Sequence, residues 1–260
     1  MGVIVSYVTI SAGFTARGDD AKLLLSTAWL FKLAAHRVLA TAQEMPVLPA
    51  SKIAWKNTFR GIAYEVIPNR RYADSAVVLI MGIYESCRQL GVSFKSVGLG
   101  EWLMFQQSEK EYPPRNITLK SPGEAWITVF GYDGSSRRIT AKVSTSGVYK
   151  RLMEAVIEER QPYNPRVVIK SWNTRNGVLY IKGELHISIP LSFYYKHVAR
   201  YRSNNGKLYG GVDVNTDRIN LAIVDEHGRL RDTYTFWFRE VTARGYPRRR
   251  AWSVIGMRVH

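Results

Sequence analysis

The sequence predicts an α+β protein, an antiparallel β-barrel interrupted by an inserted helical block and followed by a separate run of short strands. Three observations predict it. Residues 3–16 (VIVSYVTISAGFTA) are rich in β-branched residues and read as a first strand or strand pair. Helical periodicity then takes over from about Ala21 to Leu90. Strand patterns with turn signals return from Asn116 to Ile189. A strand cut off from its sheet by helices is an insertion pattern, so residues 3–16 are expected to pair with strands from 116–189.

The first helix is placed at about Ala21 to Gln43, with Asp19 and Asp20 as N-cap candidates. Its apolar stripe includes Leu24, Ala28, Phe31, Ala35 and Val38, and Pro46 and Pro49 break it. Ser51 is placed to cap a second helix that reaches about Val66, and a third runs from about Tyr72 to Leu90 and stops at Gly91. Met81, Tyr84 and Cys87 on it read as core. Residues 92–115 lack clear periodicity, and Tyr112-Pro113-Pro114 reads as the exit from the helical section. Strands follow at Asn116–Leu119, Ala125–Tyr132 and Arg137–Val143, then a helix at about Ser146 to Arg160. Two more strands, Arg166–Trp172 and Val178–Ile189, flank Asn173-Thr174-Arg175-Asn176-Gly177, a hairpin signal. Pro190 stops the second of them, and an aromatic and basic linker of Phe193 to Lys196 and Arg200 to Asn205 follows.

The chain has 260 residues, 46% of them hydrophobic, which is enough for real cores and excludes a disordered tail. Its 37 Lys and Arg against 21 Asp and Glu give a formal charge of +16 and a pI of about 10.0. Residues 1–100 carry 11 basic against 6 acidic side chains, 101–208 carry 17 against 9, and 209–260 carry 9 against 6. An excess distributed in this way fits a protein that wraps a polyanion over much of its length. Cys87 is the only cysteine, so there is no internal disulfide. No apolar run approaches the roughly 20 residues of a membrane span. Met1 to Ser6 fit an N-myristoylation pattern, but Val3 to Ile10 read as a buried strand. A cytoplasmic protein with no membrane partner is expected.

The most informative segment is Tyr209 to Phe238, YGGVDVNTDRINLAIVDEHGRLRDTYTFWF. It reads as three strands, with a turn at Asp225-Glu226-His227-Gly228 and one carboxylate, Asp213, in the first strand. A lone acid in an apolar strand is costly to bury unless it is paired or metal-bound. Asp213 is therefore a metal-ligand candidate, and the alternative is a hairpin with Asp213 near its solvent edge.

Gly-Val-Asp in a first strand, followed by two antiparallel strands, resembles the opening of an RNase H-like nuclease domain. More narrowly, GGVDVNTDRINLAIVDEHG resembles the first RuvC motif of the TnpB family, the OrfB transposase-like, RNA-guided nucleases of insertion sequences. Asn215 stands where members of that family often have Gly. The helical stretch from Ser51 to Gly91 and the stretch ITVFGYDGSSRRITAKVSTSGVYKRLM are also similar in order and character. The resemblance implies a wedge-type barrel (1–16 and 116–207), an inserted helical recognition domain (17–115), and the N-terminal part of a RuvC domain (208–260). It implies guide RNA and target DNA as partners and Asp213 as a catalytic, metal-binding residue.

A complete family site takes Mg2+ on further carboxylates from a later strand and a later helix. Only Asp213 has a match, so the chain is expected to be truncated within RuvC and inactive by itself, with no tightly bound metal. One cysteine cannot make a zinc ribbon, so no zinc is expected. Lys52, Lys56 and Arg60 lie along one helix face, either solvated or tracking phosphates. Arg70, Arg71, Arg137, Arg138, Arg248, Arg249 and Arg250 are further phosphate-contact candidates. Trp55, Trp102, Trp126, Trp172 and Tyr194 are core or stacking residues. Two other readings remain open, one half of a split RuvC nuclease completed by a separate chain, and a basic RNA-binding or structural protein.

Overall fold

The structure is a computed structural model that describes residues 6–198, 207–215 and 217–237. It is α+β and divides into two compact units, Tyr7–Ile189 and a second unit that holds the chain from Pro190 onward.

In the first unit, β1 (Tyr7–Arg17) leads into three helices, α1 (Gly18–Glu44), α2 (Lys52–Val66) and α3 (Arg70–Leu90). Then come β2 (Leu103–Gln106), β3 (Ile117–Ser121), β4 (Glu124–Phe130), β5 (Ser136–Ser144), α4 (Gly147–Glu158), β6 (Asn164–Arg175) and β7 (Val178–Pro190). The strands form one large curled antiparallel sheet in the order β2-β6-β7-β1-β5-β4-β3. The first strand thus rejoins the later ones, between β7 and β5. Gly13 pairs with Ser144 of β5, while Thr9 bonds Ser188 and Phe14 lies against Gly183 of β7. The three helices are inserted in the chain between strands of a single sheet.

Burial alternates along the strands as a one-sided sheet requires. Ile10, Ala12 and Phe14 of β1 are buried, as are Ile139, Ala141 and Val143 of β5 and Ile181, Leu185 and Ile187 of β7. Gly183 is placed by contact: a Cβ there would come within 2.4 Å of the Phe14 ring and 2.7 Å of the Val168 carbonyl oxygen. The Phe14 ring occupies the space that a side chain at 183 would need.

The helix boundaries follow local chemistry. Ser51 caps α2 by accepting from the Ala54 N–H at 3.2 Å, and Asn69 caps α3 by accepting from the Tyr72 N–H at 3.1 Å. Gly91 ends α3 at φ 67°, the left-handed C-cap. Asp19 and Asp20 are not the cap of α1. They sit in its first turn, where their charge still favours the helix dipole, and Arg17 is the N-cap.

α1 is long and apolar enough to cross a membrane by length and composition alone. Half of that stretch is buried inside the unit, and Ala21, Ala28, Ala34, Ala35 and Ala42 let neighbouring elements approach it closely. Tyr72 joins helices to sheet: its buried hydroxyl donates to the Thr128 carbonyl at 2.8 Å, and its ring meets Phe105 and Phe130 edge-on. Burial pushes that phenol well above its ordinary pKa, so it stays a donor. Thr27 of α1 accepts from the Phe130 N–H at 2.7 Å, tying α1 to the end of β4.

Three local expectations are revised. The aperiodic stretch 92–115 contains β2, whose Leu103, Met104 and Phe105 are all buried and so show no alternation. The β6–β7 turn is tighter than the five-residue signal, because Asn176 (φ 50°) and Gly177 (φ 72°) alone make it and β6 runs on to Arg175. Part of the expected linker is the short helix α5 (Leu191–Val198), with Phe193 and His197 buried.

The second unit contains α5 and a three-stranded antiparallel sheet, β8 (Tyr209–Val214), β9 (Arg218–Val224) and β10 (Leu230–Trp237), in the order β10-β9-β8.

Gly183→Val is expected to lower stability by about 2–3 kcal/mol, because neither the buried Phe14 ring nor the Val168 backbone can move freely. A urea-unfolding midpoint unchanged by the substitution would contradict the packing described.

Candidate nucleic-acid interface

Asp213 stands on β8, an edge strand exposed along its whole length. The register assigns two faces to the sheet. Asp213 is opposite Asn220, and Asn220 is opposite Thr235. These three form a hydrogen-bonded row: the Thr235 hydroxyl donates to Asn220 at 3.0 Å, and the Asn220 amide donates to Asp213 Oδ2 at 3.4 Å. Asn215 donates to the same oxygen at 2.9 Å. On the same face Arg218 stacks over Trp237 at 4.9 Å.

The other face is largely apolar, with Val212, Val214, Ile219, Leu221, Ile223, Tyr234 and Phe236, and carries Asp232 at its end opposite Ile223. Val212 is 64% exposed and Val214 60%. Asp213 is therefore an exposed, amide-bonded carboxylate, not a buried one. Asn220 and Thr235 were not singled out from the sequence. Counting back from the connection between Val214 and Arg218 would have placed Asn220 opposite Asp213, while the register shift between Leu230 and Asp232 hides the place of Thr235.

Asp225 has a structural role. Its Oδ1 accepts from the His227 and Arg229 N–H groups at 2.9 and 2.8 Å, and its Oδ2 pairs with Arg231 at 3.0 Å. Burial alone would raise its pKa, but these partners outweigh burial and hold it below the ordinary carboxylate value.

For magnesium, Asp213 supplies one carboxylate, and no group of three His, Cys, Asp or Glu side chains converges among the described residues. Mg2+ on protein takes one or two carboxylates with waters and substrate phosphates. Asp213 can be one ligand, and the described residues do not make a full site.

The basic candidates separate into committed and uncommitted groups. Lys56 and Arg60 turn toward Asp74 of α3, whose side chain is 3% exposed: Lys56 lies 3.6 Å from it, and Arg60 binds it through two nitrogens. Lys56 also bonds Glu109 at 2.9 Å. Arg71 pairs with Glu109 and, at 3.1 Å, with Glu111. The helix row of cations is thus largely an ion-pair network joining α2, α3 and the segment before β3. Lys52 lies at its margin, where burial and then the nearby Lys56 hold its ammonium below the ordinary pKa. Asp74, Glu109 and Glu111 were missed because nothing in their spacing points to partners on α2.

A cleft of about 430 Å³ opens beside this network, lined by Asn69, Arg70, Arg71, Asp74, Glu109, Arg115 and Asn116. Arg70 and Arg115 are exposed there. Arg137 pairs with Asp20 at 2.6 Å, and Arg138 donates to the Arg115 carbonyl at 2.8 Å. Of the aromatic candidates, Trp55 is core and packs on Phe59 and Tyr84, while Trp172 is half exposed. Trp126 is half-buried between cations. Lys32 lies over Trp102, and Tyr194 packs against Tyr195. Arg248, Arg249 and Arg250 lie outside the described residues.

Asp74→Ala is expected to cost about 3–5 kcal/mol, because it leaves Lys56 and Arg60 without their buried partner. Chemical denaturation checks this, and a loss below about 1 kcal/mol would show that the network is a surface feature.

Comparison with known proteins places these observations in a family. Residues 7–199 match the model of the SSO2105 N-terminal domain, which spans the first unit and α5 and stops before β8. Two uncharacterized proteins of Aeropyrum pernix are each 56% identical over 256 residues. That is 98% of this chain and 61% and 69% of their lengths. The uncharacterized protein SSO2105 of Saccharolobus solfataricus is 36% identical over 196 residues, 72% of this chain and 50% of its own length. The chain therefore spans between half and about two thirds of these relatives. No solved structure matches. By the extent of the domain match and the identity to these relatives, the chain belongs to the SSO2105 N-terminal domain family.

Proposed function

We propose that this chain is a nucleic-acid-binding protein of the TnpB kind, a cytoplasmic component of a mobile element that holds guide RNA and target DNA. One observation carries the reading. Asp213 lies on the polar face of a three-stranded antiparallel meander, hydrogen-bonded in a row with Asn220 and Thr235, behind an opposite face of largely apolar side chains. This is a sheet built to be covered on one side and to present a carboxylate on the other, as the opening of an RNase H-like domain does. Two further features support it: a sheet interrupted in sequence by helices and followed by a separate meander, and a charge of +16.

In this proposal Asp213 is a metal ligand of the family's nuclease site, and Mg2+ would supply Lewis-acid activation of a phosphodiester there. This chain's own part is binding. Cations neutralise phosphates and release counterions, so affinity should fall steeply with salt. A second reading, a basic RNA-binding protein with no guide, draws on the exposure of Asp213 and the single carboxylate it offers.

The test is to purify the chain from a host carrying its native flanking DNA and sequence the RNA that accompanies it. One abundant RNA from beside the gene is the expected result, and heterogeneous RNA or none would remove the guide claim. Asp213→Ala should leave RNA affinity within about twofold, since the carboxylate repels phosphate and holds no cation of the described residues. A large loss on this substitution would assign Asp213 to RNA binding instead of metal binding.

A further inference from the structure

Lys56, Arg60 and Arg71 on the helices are engaged by carboxylates, whereas several cations on the outer face of the seven-stranded sheet are not; on that face Lys170 pairs with Glu184 at 3.0 Å. Burial alternates along β5, so that Ile139, Ala141 and Val143 face the core while Arg138, Thr140 and Lys142 face outward. Register places Arg138 opposite Thr128, and Thr140 opposite Trp126. Lys120 of β3 reaches over the Trp126 ring at 4.1 Å, and Arg138 approaches the same ring at 5.7 Å. Glu124 is the one acidic residue on this part of the face, opposite Lys142 on the ladder, and it accepts from the Trp126 indole at 3.0 Å.

Across β1 the same side continues. Phe14 packs in the core against Gly183, so the alternate residues Tyr180 and Lys182 of β7 lie outward with Lys142. Tyr180 and Lys182 are exposed. Among the described residues, Lys120, Lys142 and Lys182 bond no carboxylate.

We infer that this outer face is a track for single-stranded nucleic acid, with Lys120, Arg138, Lys142 and Lys182 on the phosphates and Trp126 and Tyr180 beside the bases. The inference rests on the nucleic-acid reading above and names the surface and strand type that reading leaves open. Cations without carboxylate partners, interleaved with aromatic rings on an open face, match the chemistry of a flexible polyanion with exposed bases. The cations sit on rigid strands, so little side-chain ordering is needed beyond the last bonds.

The experiment measures binding of the full chain to an unstructured 20-nucleotide RNA, about that length being enough to cross the sheet at the strand spacing of ~4.8 Å, by fluorescence anisotropy over a salt series. Lys120→Glu with Lys142→Glu is expected to weaken binding at least about tenfold and to reduce the salt slope by about 0.7 for each phosphate no longer neutralised. A control with the same change in charge, Lys95→Glu with Lys150→Glu, uses exposed lysines off this face and should stay within about twofold. Circular dichroism confirms that both variants fold.

Equal losses in the two variants would overturn the track and leave diffuse charge as the binding mode, with the nucleic-acid reading intact. Tighter binding to a duplex of the same sequence would also overturn it. If the unmodified chain binds neither RNA nor DNA, the track and the nucleic-acid reading fall together.

Discussion

The buried carboxylate of Asp74 is the constraint on which the arrangement of the first unit depends. It lies on α3, one turn from the helix start, and a charge at that depth is tolerable only with partners. Lys56 and Arg60 provide them from α2, which fixes the angle and register of the two helices. The network then passes from Lys56 to Glu109 and from Arg71 to Glu111, which accepts from the Gln107 amide at 2.6 Å and the Arg115 N–H at 3.2 Å. Gln107 in turn accepts from the Asn116 N–H at 3.0 Å, at the entrance to β3. Two residues before Asp74, Tyr72 reaches Thr128 on β4. The first turn of α3 therefore holds both the neighbouring helix and the sheet, and the outer face of that sheet inherits its position from this joint.

The same network changes how the charge of +16 is to be read. Net charge treats every lysine and arginine alike, but a cation already bonded to a carboxylate has little field left for a phosphate. Lys56, Arg60 and Arg71 stabilise the fold. Arg70 and Arg115 in the cleft, and Lys120, Lys142 and Lys182 on the sheet, remain available to solvent. Function on a polyanion depends on this second group, and only tertiary structure separates the two.

Much of the fold was legible because its signals are local. Ser51 and Gly91 mark helix ends through bonds and dihedrals set within a few residues, and the alternation along β5 and β7 is visible without partners; the Asn69 cap of α3 was not picked out. The pairing of Tyr7–Arg17 with later strands also followed, since a lone strand must find a sheet, while Val3 to Val5 lie outside the described residues. The misses have equally physical causes. β2 is buried on both sides and carries no period. Arg17, not an aspartate, stands at the N-cap position of α1, with no side-chain bond to the helix end. The Phe193 to Lys196 part of the expected linker lies in α5, because burial of Phe193 and His197 outweighs its linker-like composition, and Arg200 to Asn205 lie outside the described residues. At the candidate site, Asp213 could be picked out as unusual in its strand. Its exposure and its bonds to Asn215 and Asn220 come from register, which residue type alone does not give.

The Asn176-Gly177 turn has a consequence of a different kind. The pair makes the tight hairpin because both residues accept positive φ, and Gly177 has no side chain to crowd its backbone nitrogen. That lack of crowding also favours attack by the nitrogen on the Asn176 amide, closing a cyclic imide and releasing ammonia. Asparagine is among the thermolabile residues, and here it sits at an exposed hairpin tip. Hydrolysis of the imide adds a negative charge beside Arg175 and, in one product, an extra backbone carbon. The chemistry that makes this turn easy to form thus gives the molecule an ageing site.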